Sequence, residues 1–92
     1  MSRCVIKAKD PTKEVAVGIE IPNLGGRWFL QVFNRNTDEP EIDFETNSNA
    51  ELLTEIRKVG VNEEHLYTRR VLEAISCDYD PGPHASRYLG KS

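Results

Sequence analysis

The sequence has no long apolar segment. No uninterrupted apolar run approaches about 18 residues, the length at which a helix could cross a bilayer. Residues 1–9 also lack the apolar core of a secretory signal, so we expect a cytoplasmic protein with no membrane partner. The chain of 92 residues is long enough for one domain with a single modest core and too short for two.

Cysteine and histidine are scarce, with two residues of each. Two cysteines are too few for a disulfide scaffold, and both fit small apolar positions, so we predict that they are reduced and structural. A zinc site would need all four residues, but no CxxC or HxxxH spacing supports one. Neither histidine lies beside a serine or cysteine as in a nucleophile motif. We therefore expect no enzyme, no metal and no cofactor. The four residues are Cys4, His65, Cys77 and His84.

Apolar residues alternate with polar ones in four short segments. The clearest is residues 14–21, where Val15, Val17 and Ile19 share one face, a spacing typical of a half-buried strand. Turn residues separate the segments, and the glycines of residues 22–26 are interpreted as a hairpin turn and not as a phosphate cradle, because no helix follows them. We predict antiparallel strands over residues 3–9, 14–21, 27–34 and 41–46.

The third predicted strand has aromatic residues on both faces. Trp28 shares one face with Leu30 and Val32, whereas Phe29 and Phe33 point to the other. Because two solvated phenylalanines would form an exposed apolar stripe, we place this strand in the centre of the sheet. Monomer and dimer both remain open, since these two rings could pack against a second copy.

The apolar spacing becomes helical after the fourth strand. Ser48 with Glu51 forms a capping box, which predicts a helix over residues 49–59 that Gly60 ends. Val61 and Asn62 are interpreted as the hydrophobic staple and N-cap of a second helix. That second helix is predicted over residues 62–76.

These elements predict the fold class and the domain organisation. We expect an α+β domain over residues 1–77, in which a four-stranded antiparallel meander is followed by two helices packed on one face, in two layers. Residues 78–92 contain two prolines and two glycines without apolar periodicity, and are interpreted as a C-terminal tail.

Acidic residues are concentrated in one part of the chain. Residues 36–55 carry seven acids and no base, although the net charge of the chain is only -3. Five of these acids fall on one turn and on the outward face of the fourth predicted strand, and we call them the acidic stripe. Such a stripe attracts a basic partner surface, and it also keeps an edge strand from pairing with another copy. The acidic stripe consists of Asp38, Glu39, Glu41, Asp43 and Glu45.

Arginines and aromatic rings form a second group of candidate contact residues. Arg69 and Arg70 lie in the middle of the second predicted helix, where no helix end explains them, although Arg70 can pair with Glu73. Arginine is suited to bidentate contact with carboxylate or phosphate, so these positions are candidates for contact with a partner protein or RNA. The candidate residues are Arg27, Phe29, Phe33, Arg35, Arg69 and Arg70.

Residues 32–76 have an order of elements that can be compared with known families. A strand and turn precede the acidic strand Glu41-Ile42-Asp43-Phe44-Glu45, and the capped helix Asn49–Val59, Gly60 and a second helix ending Leu72-Glu73-Ala74-Ile75-Ser76 follow it. In size, order and charge distribution, this half of the chain resembles small phage-encoded anti-CRISPR proteins. The resemblance implies a stoichiometric, non-enzymatic inhibitor that docks on a bacterial RNA-guided surveillance complex. It would compete with DNA for a basic channel or hold the complex in an inactive shape.

Three classes of function remain at this stage. The first is a protein-binding module without chemistry, favoured by the segregated charge and the absence of a catalytic motif. The second is a nucleic-acid-binding module that stacks bases on Trp28, Phe29 and Phe33, against which the negative net charge argues. The third is a small metal protein or enzyme built around His65 and the cysteines. We expect the first.

Overall fold

The structure is a computed structural model that describes residues 2–20, 27–37, 39–79 and 81. The order of its elements confirms the predicted α+β class, with strands first and helices last. The elements are β1 (Ser2–Lys7), β2 (Lys13–Glu20), β3 (Arg27–Asn34), β4 (Pro40–Thr46), α1 (Asn49–Val59) and α2 (Leu66–Ser76). The bounds of β3 and α1 are those predicted, and the other strands differ by one or two residues at their ends.

The four strands form one sheet in the order β1-β2-β3-β4, and every neighbouring pair is antiparallel. Each strand therefore pairs with its neighbour in the chain, as the predicted meander requires. Between β3 and β4 the register shifts at Val32 and Phe33, where β4 bulges. In this order β3 lies inside the sheet, and β1 and β4 are its two edges.

Both helices cover the same face of the sheet. Helix α1 contacts β3 and β4, whereas α2 contacts β1. The core between the two layers contains Leu30 of β3, Ile56 of α1 and Ile75 of α2, all fully buried. Trp28 belongs to this core and is only 2% exposed. The apolar face of the sheet and the apolar faces of the two helices thus meet in one layer. Burial of this layer supplies most of the driving force for folding.

The sheet face away from the helices, which we call the open face, is less apolar than the sequence suggests. Phe29 lies on this face but is only 6% exposed, and the register places it opposite Gly18, which has no side chain to compete for space. Phe33 is half-buried, with the guanidinium carbon of Arg3 lying 5.8 Å from the centre of its ring. The two rings therefore do not form the exposed stripe that would favour a dimer.

Both ends of α1 lie at the predicted residues, but only half of the predicted capping box forms, because the Ser48 amide donates to the Thr46 hydroxyl at 3.0 Å and not to Glu51. The Ser48 hydroxyl accepts a hydrogen bond from the Glu51 amide at 3.2 Å, which is the first half of the capping box. Gly60 ends the helix with a φ of 87°, and its amide donates to the Ile56 carbonyl. In addition, the Asn49 side-chain amide donates to the Ile75 carbonyl at 2.9 Å, which ties the start of α1 to the end of α2.

The prediction for the start of α2 is wrong by four residues, because residues 60–62 pair with the end of β1. The Asn62 amide donates to the Lys7 carbonyl at 2.9 Å, and the Lys9 amide donates to the Gly60 carbonyl at 3.1 Å. Val61 forms an antiparallel bridge with Ala8 between these two bonds. We call this contact the 60–62 clasp. It holds the backbone extended where the sequence pattern predicted a helix.

The predicted N-cap and staple of α2 are therefore also absent. The Asn62 side chain accepts from the Glu64 amide, which forms a turn before the helix. Leu66, the residue against which Val61 would pack in such a staple, is 49% exposed. The N-cap is His65, whose side chain makes no capping hydrogen bond. Helix α2 starts without the device that stabilises the start of α1.

The end of α2 continues into residues predicted to belong to the C-terminal tail. The Tyr79 amide donates to the Ala74 carbonyl and the Asp78 amide to the Ile75 carbonyl, which together form a Schellman motif. Asp78 takes the left-handed conformation of this motif, with a φ of 59°. Pro81 is fully buried. The remaining tail, residues 82–92, and the predicted turn at residues 22–26 lie outside the described residues.

Candidate functional site

Strand β4 and Glu39, the residue before it, carry the described part of the acidic stripe along an edge of the sheet. Glu39, Glu41, Asp43 and Glu45 are all exposed, and Asp38 lies outside the described residues. On the side away from β3, no residue that the structure describes pairs with the backbone of β4. The strand therefore presents unpaired amides and carbonyls next to a row of carboxylates.

Bases of the same chain neutralise part of the acidic stripe. Lys13 lies 3.2 Å from Glu41, and Arg27 lies 3.2 Å from Glu45. Exposed ion pairs of this kind contribute little stability, typically under about 1 kcal/mol. The Asp43 carboxylate, between the two paired carboxylates, has no ion pair or hydrogen bond with any residue in the described ranges. The centre of the stripe is thus the part left available to another molecule.

The other face of β4 is apolar and incompletely covered. Ile42 and Phe44 point toward the helix layer, but Ile42 is 41% exposed and Phe44 is half-buried. The two side chains are incompletely buried because an edge strand has a neighbour on one side only and α1 does not extend over all of β4. Strand β4 therefore alternates exposed carboxylates with accessible apolar side chains.

The opposite edge of the sheet is different in charge and in accessibility. Strand β1 has Arg3, Val5 and Lys7 on the open face, all exposed, and none of them is acidic. Its C-terminal end is covered by the 60–62 clasp. The open face thus changes from basic at β1 to acidic at β4, and β4 is the edge with more free backbone.

The six predicted arginine and aromatic contact residues do not form one surface. Arg69 and Arg70 lie on α2, in the layer on the far side of the sheet, where Arg70 pairs with Glu73 at 3.1 Å as predicted. Arg27 and Arg35 lie at opposite ends of β3, and Phe29 between them is buried. Only Phe33 and Arg35 share a site.

That site is a groove of about 300 Å³ on the open face. The groove also contains Arg3, which no sequence pattern links to Phe33, because the two residues are far apart in the chain and not opposite each other in the register. No local sequence pattern predicts a diagonal contact across three strands. The groove is lined by Arg3, Glu14, Phe33, Asn34, Arg35 and Thr37.

The cysteines and histidines do not come together in the described residues. Cys4 is buried, whereas Cys77 is exposed, which corrects the prediction that both occupy apolar structural positions, and the two are not joined in a disulfide. His65 is exposed at the start of α2, and His84 lies outside the described residues. Within those residues, no three His, Cys, Asp or Glu side chains are placed to hold a metal ion.

The Tyr67 side chain is partly buried and hydrogen-bonded to Cys4. Burial raises the pKa of the Tyr67 hydroxyl to about 12, and its side-chain hydrogen bond with Cys4 adds to the effect. Both residues lie at the core between α2 and β1. A tyrosine held neutral in this way acts as a partly buried polar contact and is not a base at neutral pH.

Comparisons with other proteins do not indicate a function, so the surfaces described above are the basis for assigning one. Within the described part of the chain, neither helix has the length and apolar character needed to cross a membrane. Comparison of the chain with protein-family models, with curated proteins and with solved structures found no match.

Proposed function

We propose that the protein is a non-enzymatic binding module that accepts an extended, basic segment of a partner protein as a fifth strand beside β4. The observation that carries the proposal is the edge itself, where unpaired backbone groups run beside alternating carboxylates and apolar side chains. Strand addition to an open sheet edge obtains affinity from main-chain hydrogen bonds and specificity from alternate side chains.

The alternation in β4 defines the partner's pattern. Side chains on one face of the added strand would meet Asp43 and its neighbours, so lysine or arginine belongs there. Side chains on the other face would lie beside Ile42, so apolar residues belong at those positions. Favourable cross-strand pairs contribute about 0.2–1 kcal/mol each, and several in a row give a selective contact.

The same charges explain why β4 does not pair with β4 of another copy. Two acidic strands side by side repel each other, whereas an acidic strand and a basic strand attract. Protection of the edge and selection of a basic partner are therefore one property of the acidic stripe.

The layout resemblance supports one class of partner, an RNA-guided surveillance complex, with this protein as its inhibitor. The channels through which such complexes bind target DNA are positively charged, so a carboxylate-rich edge is complementary to them. In contrast, burial weakens the alternative of a base-stacking sheet surface, because Trp28 is 2% and Phe29 is 6% exposed.

A designed peptide tests the strand-addition proposal. The probe is a fluorescent peptide that alternates lysine and valine, and anisotropy measures its binding. We expect binding that weakens as salt rises, and at least tenfold weaker binding to the Asp43→Lys, Glu45→Lys variant. The matched control is Glu63→Lys, Glu64→Lys, which makes the same charge change on exposed residues away from β4.

A second peptide separates strand pairing from charge attraction. It has the same sequence with every other backbone amide methylated, so that it cannot complete a ladder. Equal binding of the two peptides, or equal weakening by the β4 variant and its control, would show that β4 is not a strand-docking site. Affinity capture of the tagged protein with an RNA-guided complex, before and after nuclease treatment, tests the proposed partner class.

A further inference from the structure

The groove on the open face combines an aromatic ring with two guanidinium groups, a combination that the protein-binding proposal does not use. Phe33 provides the ring, and Arg3 and Arg35 provide the cations. We infer that this groove binds a phosphorylated nucleoside, with the base against Phe33 and the phosphate between Arg3 and Arg35.

The spacing of Arg3 and Phe33 suits a planar base. The guanidinium carbon of Arg3 lies 5.8 Å from the centre of the Phe33 ring. A flat ring inserted between two planes needs about 7 Å, which is two contact distances of about 3.5 Å each. Arg3 is exposed and has a long, flexible side chain, so a movement of about 1 Å makes the room. A base in this slot stacks on both groups, as arginine and aromatic side chains do with unpaired bases.

The donors for a phosphate are already at the groove. No described residue accepts a hydrogen bond from the Arg3 guanidinium or forms an ion pair with it. The Arg35 Nε lies 3.5 Å from a carboxylate oxygen of Glu14, which leaves its two terminal nitrogens for a ligand. Two guanidiniums against one carboxylate leave a net positive charge at the groove, although the whole chain is negative.

The wall of the groove formed by the start of the β3–β4 turn is held in place by hydrogen bonds. The Asn36 amide donates to the Asn34 side chain at 2.9 Å, and the Thr37 amide donates to the Asn34 carbonyl at 3.0 Å. The Arg35 amide donates to the Thr12 carbonyl at 2.8 Å. A site whose backbone is fixed before binding loses less entropy when it binds a ligand.

Size and charge limit the ligand to a single nucleotide unit. A volume of about 300 Å³ is at the lower end of the range for small-ligand sites. The exposed carboxylates of β4 repel a longer phosphate backbone that crosses the open face. The ligand is therefore a free mononucleotide or the phosphorylated end of a single strand, which share the same chemistry at the groove.

Titration calorimetry of the full chain tests the ligand class with five probes. They are AMP, adenosine, inorganic phosphate, and an oligoadenylate tetramer with and without a 5′ phosphate. We expect AMP to bind at least fivefold more tightly than adenosine or phosphate. Phosphate binding as tight as AMP binding, or no heat from AMP at millimolar concentration, would overturn the inference. A phosphorylated tetramer that binds more tightly than both AMP and the unphosphorylated tetramer identifies the strand end as the ligand, and equal binding of AMP and the phosphorylated tetramer identifies the free nucleotide.

Three substitutions locate the binding. Arg3→Gln and Arg35→Gln remove one cation each and keep polar side chains, and Phe33→Leu removes the ring; each should weaken AMP binding at least fivefold. Arg69→Gln removes an exposed arginine on the other layer and should leave binding unchanged. Loss of binding by Arg69→Gln equal to that by Arg3→Gln would overturn the site. Because Phe33 is half-buried, thermal unfolding of each variant checks that it is folded. If Phe33→Leu does not fold, the two arginine variants suffice to locate the binding.

Discussion

At the scale of single residues, the Tyr67 hydroxyl makes stability depend on pH in the alkaline range. Its pKa is raised to about 12 by burial and by Cys4, whereas an unfolded tyrosine ionises near pH 10. The folded state therefore keeps the proton longer than the unfolded state. Its contribution to stability is complete below about pH 10 and is lost as pH rises toward 12. Urea unfolding at a series of pH values should show this decline.

The Tyr67→Phe variant isolates this effect from the titration of other groups. It retains the ring and removes the ionisable hydroxyl, so the free energy of unfolding should fall less between pH 10 and 12 than in the wild type. The ultraviolet absorbance of each protein is also measured as a function of pH. The difference between the curves of the wild type and of Tyr67→Phe should have its midpoint near pH 12. A midpoint near pH 10 would mean that the hydroxyl is hydrated in the folded protein.

At the scale of elements, the two helices differ in how they begin. Ser48 caps α1 through its hydroxyl, whereas the exposed His65 at the start of α2 makes no such bond. Replacing an N-cap serine by alanine costs about 1 kcal/mol, and adding a capping side chain should give a gain of similar size. We therefore expect Ser48→Ala to lower the free energy of unfolding and His65→Ser to raise it, as measured by urea unfolding. A loss of stability in His65→Ser would show that the turn before α2 does not accept a cap.

These helices also show which features a sequence reveals and which it does not. Strand alternation, the Ser48 cap of α1 and Gly60 act within a few residues, and all were predicted correctly. The return bond from Glu51 does not form, because the Ser48 amide donates to the Thr46 hydroxyl. The start of α2 was missed because Asn62, a good N-cap by type, donates its amide to Lys7, more than fifty positions away in the chain. A local sequence pattern cannot reveal a backbone hydrogen bond between residues that only the tertiary fold brings together.

The candidate site likewise has features that the sequence predicts and features that it does not. The acidic stripe was predicted from alternation, and its position on an edge follows from the meander. The pairing of Glu41 with Lys13 and of Glu45 with Arg27 depends on register between strands, which the sequence leaves open. The groove was missed for the same reason, because Arg3 crosses β2 to reach Phe33.

At the scale of the whole molecule, one carboxylate limits how copies of the protein meet. Asp43 lies at the centre of the uncovered edge, next to the partly exposed Ile42. The Asp43→Val variant replaces the charge at the centre of this edge by an apolar, β-branched side chain that favours strand pairing, so we expect concentration-dependent self-association in sedimentation velocity. Glu64→Val makes the same change on an exposed residue outside the sheet and should behave as the wild type. If both variants associate equally, general hydrophobicity and not the edge is responsible.

The placement of the two cysteines gives the protein a natural chemical probe of its own unfolding. Cys77 is exposed at the end of α2, whereas Cys4 is 2% exposed beneath the helix layer. A thiol-reactive dye should therefore attach to one site in the native protein and to a second only when the core opens. The first site provides a fluorescent label without any substitution. The rate of modification at the second measures how often the two layers separate.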